Sequence, residues 1–111
     1  MRQPALDECV NPQVKAAFPG HDVKTVNEMR WQGTTNGRLL TLAEANGFEV
    51  FVTVDHNISY QQNIAMRRLG FIVVRVKSNN VRAYRPLFAE LNRAAGTVEQ
   101  GCVICVSGLI A

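Results

Sequence analysis

Aspartate is scarce in this chain, and its placement suggests chemistry. Only Asp7, Asp22 and Asp55 occur among 111 residues. Asp7 follows the apolar pair at residues 5–6, and Asp55 follows residues 50–54, the clearest strand pattern in the sequence. Mg²⁺ and Mn²⁺ prefer oxygen ligands, and Mg²⁺ is often held by one or two carboxylates with water and substrate phosphates. A cation so held can polarise a phosphodiester and activate water. The question is therefore whether the fold brings two aspartates together.

Three further polar residues stand close to these aspartates or at a comparable position. Glu8 follows Asp7, Asn57 follows Asp55 by two residues, and Asn36 stands where a helix is predicted to begin. Together they predict an oxygen-rich pocket. Each also has a simpler interpretation, because both aspartates are favoured helix caps and Asn36 before a glycine is typical of a turn. Glu8 as a solvent-facing side chain and Asn57 as a loop residue are the corresponding alternatives.

Strand and helix patterns alternate along the whole chain. Strands are predicted at residues 5–6, 22–26, 50–54, 71–76 and 102–106, and helices at 12–18, around 39–43, at 59–69 and at 81–95. Such alternation predicts an α/β fold, a three-layer α/β/α sandwich with a mostly parallel central sheet, and the length fits a single domain over residues 1–111. Ligands of such sheets bind beyond the carboxyl ends of the strands, where Asp7 and Asp55 are expected to lie.

Positive charge is concentrated in one stretch. The net charge is +3, and residues 66–89 contain six basic residues and no acidic one. A basic stretch favours phosphate or nucleic-acid binding, although a solvated surface without acids is the alternative. The residues predicted to contact nucleic acid are Arg67, Arg68, Arg75 and Lys77, with Gln62 from the polar run at 60–63.

Cysteine usage and hydropathy predict a cytoplasmic protein. Three cysteines do not form a disulfide framework. Cys102 and Cys105 fall in a segment that resembles a buried strand, so we expect structural, buried thiols rather than a redox pair or a zinc site. No apolar run is long enough to cross a bilayer, and no signal-peptide core follows the first residues. We therefore expect no membrane association.

Three segments carry a resemblance to a known family. Residues 6–10 (LDECV) resemble the opening segment of the prokaryotic PIN-like proteins. Residues 33–40 resemble their middle motif, a polar turn that opens a helix, and residues 52–57 (VTVDHN) resemble their third motif, T-x-D-x-D or T-x-D-x-N. The resemblance covers about residues 5–106. It implies an α/β/α sandwich and a metal-dependent ribonuclease, often the toxin of a toxin–antitoxin pair that a small antitoxin protein holds inactive.

The same resemblance assigns roles to individual residues. Asp7 and Asp55 would be ligands of Mg²⁺ or Mn²⁺. Asn36 takes a position that is often Asp, Asn57 takes the position of a second aspartate in the third motif, and Glu44 matches a helix glutamate by position only. The implied partners are an RNA substrate and a small antitoxin, and a homodimer is left open.

Three functions are therefore compared. The first is a metal-dependent endoribonuclease that hydrolyses RNA phosphodiester bonds. The second is a catalytically inactive PIN-like module that binds RNA or protein, which the amides of Asn36 and Asn57 favour. The third is a phospho-receiver domain, which also has acidic residues after its first strand and an aspartate ending its third. The loop typical of receivers after that aspartate is absent at residues 56–58.

Overall fold

Five parallel strands form the centre of the molecule. The computed structural model describes residues 2–58 and 63–108. The strands are β1 (Pro4–Leu6), β2 (Lys24–Thr25), β3 (Val50–Thr53), β4 (Gly70–Arg75) and β5 (Val103–Ser107). Their order is β2-β1-β3-β4-β5, and every pairing is parallel. The predicted α/β class is confirmed.

Helical segments cover both faces of this sheet. Among the described residues, the α-helices with both ends placed are α1 (Asn36–Ala45), α2 (Val81–Tyr84) and α3 (Phe88–Thr97), and 3₁₀ helices span Pro12–Ala17, Ile64–Met66 and Arg85–Leu87. Side chains of a strand alternate between its two faces. On one face Leu6, Val52 and Ile72 pack with α3 and the first 3₁₀ helix, and on the other Ala5, Phe51 and Phe71 pack with α1.

The connections from β1 to β2 and from β4 to β5 have opposite hands. The 3₁₀ helix between β1 and β2 packs on the same sheet face as α3, which lies between β4 and β5. From β1 to β2 the chain moves in one direction across the sheet, and from β4 to β5 it moves in the other. The two crossovers therefore have opposite hands, although such crossovers are almost always right-handed. As a result, α3 does not cover the face of β5 that lies on the same side of the sheet as α1.

The helix boundaries agree with the sequence in part. Gly47, with φ of 83°, lies just beyond the end of α1, as the Asn46-Gly47 signal predicts. The continuous helix predicted over 81–95 is wrong, because Pro86 has no N–H and a 3₁₀ turn separates α2 from α3. Of the helix predicted over 59–69, residues 59–62 lie outside the described residues, and Ile64–Met66 is only a 3₁₀ turn.

A membrane span would require a long apolar helix. None of the helices within residues 2–58 and 63–108 has the length and hydropathy to cross a bilayer.

Candidate active site

The point where the connections leave β1 and β3 in different directions defines the candidate site. β1 lies between β2 and β3, and the chain leaves β1 towards β2 but leaves β3 towards β4. Crevices at such switch points bind ligands in open α/β sheets. Asp7 directly follows β1, and its backbone N–H donates to the carbonyl of Val52 over 2.9 Å. Asp55 follows β3 by two residues. Both aspartates therefore lie at the carboxyl edge of the sheet, as predicted.

The carboxylate of Asp7 is held in a fixed position. Asp7 is only 7% exposed. Oδ2 accepts hydrogen bonds from Thr53 Oγ1 over 2.8 Å and from Cys9 Sγ over 3.4 Å, and Oδ1 accepts from the backbone N–H of Glu8 over 2.9 Å. A carboxylate has about four acceptor positions. One position on Oδ1 is therefore left for a cation or a water molecule.

The hydroxyl of Thr53 joins the two aspartate loops. Thr53 is the last residue of β3 and is fully buried. Its hydroxyl donates to Asp7 and accepts the backbone N–H of Asp55 over 3.0 Å. Thr53 belongs to the segment 52–57 that resembles a family motif, but it was not among the site residues predicted from the sequence. The available signal was a polar residue ending an otherwise apolar strand, since a buried hydroxyl needs partners.

The side chain of Asp55 is less restricted. Its Oδ1 accepts the backbone N–H of Asn57 over 3.0 Å, which is a local turn. Within the described part of the chain, Oδ2 accepts no hydrogen bond. Asp55 is half-buried, whereas the side chains of His56 and Asn57 are exposed. The pair thus consists of one fixed carboxylate and one whose Oδ2 has no donor among the described residues.

Cys9 is a second site residue that was not predicted from the sequence. It is half-buried, and its Sγ lies 3.4 Å from both Asp7 Oδ2 and Thr53 Oγ1. Burial raises the pKa of the Cys9 thiol above 9.0, and the nearby charge of Asp7 acts in the same direction. The protonated thiol is a weak donor, so Cys9 supports the carboxylate of Asp7.

Three other residues were matched to the site from the sequence, and the structure gives each of them its own position. Glu8 is exposed, and its Oε1 accepts the backbone N–H of Gly33 over 3.3 Å. Asn36 is the first residue of α1, after the N-cap Thr35. Glu44 forms an ion pair with Arg67 at 3.0 Å.

A cation at this site would have few protein ligands. Among the described residues, no group of three or more His, Cys, Asp or Glu side chains converges to hold a metal ion. Asp7 and Asp55 both carry carboxylate oxygens, the type of ligand taken by a hard cation that keeps several waters and binds substrate phosphate.

A cavity of about 430 Å³ adjoins the two aspartate loops. Val54 and His56 after β3 line it, as do Cys9 and the residues that end β4. Asn79 closes one wall, because its Oδ1 accepts from the phenol of Tyr84 over 2.5 Å and from the backbone N–H of Asn11 over 3.2 Å. Burial raises the pKa of Tyr84, which therefore stays protonated as a donor at neutral pH.

The basic residues fall into two groups. Arg75 ends β4, is exposed and lines the cavity, and the exposed Lys77 follows two residues later. Arg67 instead fastens the segment before β4 to α1, since its guanidinium also donates to Thr41 Oγ1 and to the carbonyl of Gly37.

The remaining two predicted contacts lie elsewhere. Arg68 is exposed, and its backbone N–H donates to Glu44 Oε2 over 2.6 Å. Gln62 lies outside the described residues.

Comparison with known proteins gave no match to this chain among family models, curated proteins or solved structures. The proposed function below therefore depends on the geometry of the site.

Proposed function

We propose that this chain is a metal-dependent endoribonuclease whose Asp7 and Asp55 hold Mg²⁺ or Mn²⁺ at the switch point between β1 and β3. The observation that carries the proposal is the Thr53 hydroxyl, which bonds to both aspartate loops at 2.8 and 3.0 Å. One buried group thereby sets the spacing of two carboxylate-bearing segments.

The residues of the site would have separate roles in binding the cation and the phosphates. Asp7 is immobilised by three donors and would offer its remaining acceptor position, while Asp55 would offer Oδ2. A bound divalent cation supplies a Lewis acid for the phosphoryl oxygen and lowers the pKa of water. Arg75 and Lys77 would hold the phosphates of the strand beside the cavity, because both are exposed cations near the carboxyl end of β4.

Cleavage of a labelled RNA in Mn²⁺ tests the proposal. We expect Asp7→Asn and Asp55→Asn each to abolish cleavage, because each removes charge from the cation site. Asp22→Asn is the matched control, since Asp22 is exposed and precedes β2 at the other edge of the sheet. Cleavage that needs no metal and survives both site variants would overturn the proposal.

One observation favours a second candidate, the phospho-receiver. The sheet order of this chain, β2-β1-β3-β4-β5, is also the flavodoxin-like order found in receiver domains. Treatment with a small phosphodonor and measurement of the intact mass separates the candidates. A stable phosphoryl adduct on Asp55, without nuclease activity, would favour the receiver.

The small number of carboxylates at the site also supports a third candidate, a catalytically inactive module that binds RNA or protein. RNA binding without Mn²⁺ binding or cleavage would select it. From the resemblance to PIN-like toxins we further propose a small antitoxin partner, which a short adjacent reading frame and co-purification of its product would support.

A further inference from the structure

The cavity beside the candidate active site combines apolar and polar lining. Val54 and Val76 are half-buried and line it together with the fully buried Tyr84. Arg75 and Asn79 are exposed and contribute polar groups to the same cavity. Small-molecule sites are clefts of about 300–1,000 Å³ in which a few placed polar groups stand among apolar ones. At about 430 Å³, this cavity has the size and the composition of a ligand site.

Asn79 is held so that its amide nitrogen is the group left for a ligand. Its Oδ1 accepts the backbone N–H of Asn11 over 3.2 Å and the phenol of Tyr84 over 2.5 Å, and its carbonyl accepts from Asn11 Nδ2 over 2.8 Å. Because a backbone N–H can only donate, the amide oxygen must be the atom that faces Asn11. Within residues 2–58 and 63–108, Asn79 Nδ2 has no acceptor. The cavity is therefore lined by a positioned donor that no described protein group uses.

Two neighbouring polar side chains of the lining can donate as well. The guanidinium of Arg75 forms no hydrogen bond or ion pair within the described part of the chain. Ser78 Oγ accepts the backbone N–H of Asn80 over 3.3 Å, which leaves its hydroxyl proton for another acceptor. Of the described residues that line the cavity, none is Asp or Glu. A cation with further N–H and O–H donors and no adjoining acid in the lining suits a phosphate group, whose oxygens accept hydrogen bonds.

The cavity lies directly beside the two aspartate loops. Cys9 lines it, and Cys9 Sγ is 3.4 Å from Asp7 Oδ2. Val54 and His56, which precede and follow Asp55, line it as well. A ligand in the cavity would therefore be a neighbour of a cation held by the aspartates. In an RNA substrate, this is the position of a nucleotide next to the cleaved bond.

We propose that this cavity is a subsite for one nucleotide of the RNA. Its phosphate accepts hydrogen bonds from Arg75 and from Asn79 Nδ2, and its ring lies against the apolar surface of Val54 and Val76. A nucleotide combines the two features for which the cavity has partners, since a phosphate binds to cationic donors and a base can be buried between apolar side chains. The choice of a nucleotide as the ligand rests on the proposed ribonuclease function.

Nuclear magnetic resonance titration of the metal-free chain tests the subsite, with the side-chain amide of Asn79 as the reporter. The probes are the ribonucleoside 5′-monophosphates, their nucleosides and inorganic phosphate. We expect the monophosphates to shift the Asn79 amide resonance and to bind at least about tenfold more tightly than the nucleosides, which lack the charge-assisted hydrogen bonds. Inorganic phosphate has no ring to bury and should also bind more weakly. No binding of any monophosphate at millimolar concentration, or equal binding of phosphate, would overturn the nucleotide subsite.

Asn79→Asp is the most selective variant, because it keeps an oxygen that accepts from Asn11 and Tyr84 and replaces only the donor nitrogen. We expect the monophosphates to bind at least about tenfold more weakly, since a donor is exchanged for a carboxylate that repels phosphate. Asn80→Asp is the matched control. It makes the same change of charge one position further along, outside the cavity lining, and Asp is an equally favoured N-cap for α2. Equal affinity of the parent and Asn79→Asp would overturn the assignment.

Arg75→Gln provides a second test if Asn79→Asp does not fold by circular dichroism, because Arg75 is exposed. We expect it to lose most of the difference between monophosphates and nucleosides, and an unchanged difference would overturn the phosphate contact. Mn²⁺ titration separates this inference from the proposed function. Nucleotide binding without Mn²⁺ binding would support the subsite and overturn the nuclease. Metal-dependent cleavage without binding of any monophosphate would overturn the subsite alone.

Discussion

Replacing Thr53 by valine removes one hydroxyl and nearly preserves the shape of the side chain. Thr53 is fully buried, so no water can replace the lost bonds at 2.8 Å to Asp7 and 3.0 Å to the N–H of Asp55. A hydrogen bond to a charged group contributes about 1.5–3 kcal/mol, and a typical neutral one contributes about 1 kcal/mol. We therefore expect the free energy of unfolding to fall by roughly 2–4 kcal/mol.

Thr53→Ser is the matched control, because it keeps the hydroxyl and deletes one buried methyl group. Its expected cost is about 1 kcal/mol. Urea denaturation followed by circular dichroism measures both variants, and Mn²⁺ affinity should weaken in Thr53→Val but much less in Thr53→Ser. If Thr53→Val is as stable as Thr53→Ser, the hydroxyl does not hold the two loops and the reasoning is refuted.

Other positions test the packing and the electrostatics. Gly70→Ala should lower the free energy of unfolding by about 1–3 kcal/mol, because its Cβ would lie 2.7 Å from the side chain of Val98, and equilibrium denaturation measures this. Gly96→Ala in α3, where a Cβ meets no atom within 4 Å, should instead raise it by up to about 1 kcal/mol. A hydrogen bond from Lys15 holds the pKa of Glu28 below 4.5, so its stabilisation is present above that pH and is lost as the pH falls through the folded-state value. In thermal denaturation, Glu28→Gln should thus be less stable than the parent near pH 7, and this difference should shrink as the pH falls through the folded-state pKa of Glu28; a constant difference would contradict this assignment.

The positions of the two aspartates were predictable because they depend only on where two strands end in the sequence. An apolar run before Asp55 and the short run before Asp7 place both residues at the carboxyl edge of any parallel sheet. That β1 and β3 are neighbours was not predictable from these patterns, since strand order depends on how the helices pack. The switch point therefore became visible only in the assembled sheet.

The supporting residues were not predictable from local patterns. Thr53 bonds to Asp7 across 46 positions of the chain, and Arg67 bonds to Glu44 across 23. The sequence showed the basic stretch but not that one of its arginines is occupied by an ion pair. Such contacts are properties of the tertiary structure.

The prediction that Cys102 and Cys105 are buried was wrong, because both are exposed. A run such as Val103–Ser107 has the same composition in a central strand as in an edge strand. Its burial depends on its place in the sheet and on which face the preceding helix covers. Here α3 packs on only one face of β5, and Cys105 points to the other.

Calorimetric titration of the chain with Mn²⁺ tests the central claim most directly, because it reports the cation site without requiring an RNA substrate. We expect one site per chain, lost in Asp7→Asn and in Asp55→Asn and retained in Asp22→Asn. Binding that is equal in all four proteins, or no binding to the parent at millimolar Mn²⁺, would contradict a metal site between Asp7 and Asp55.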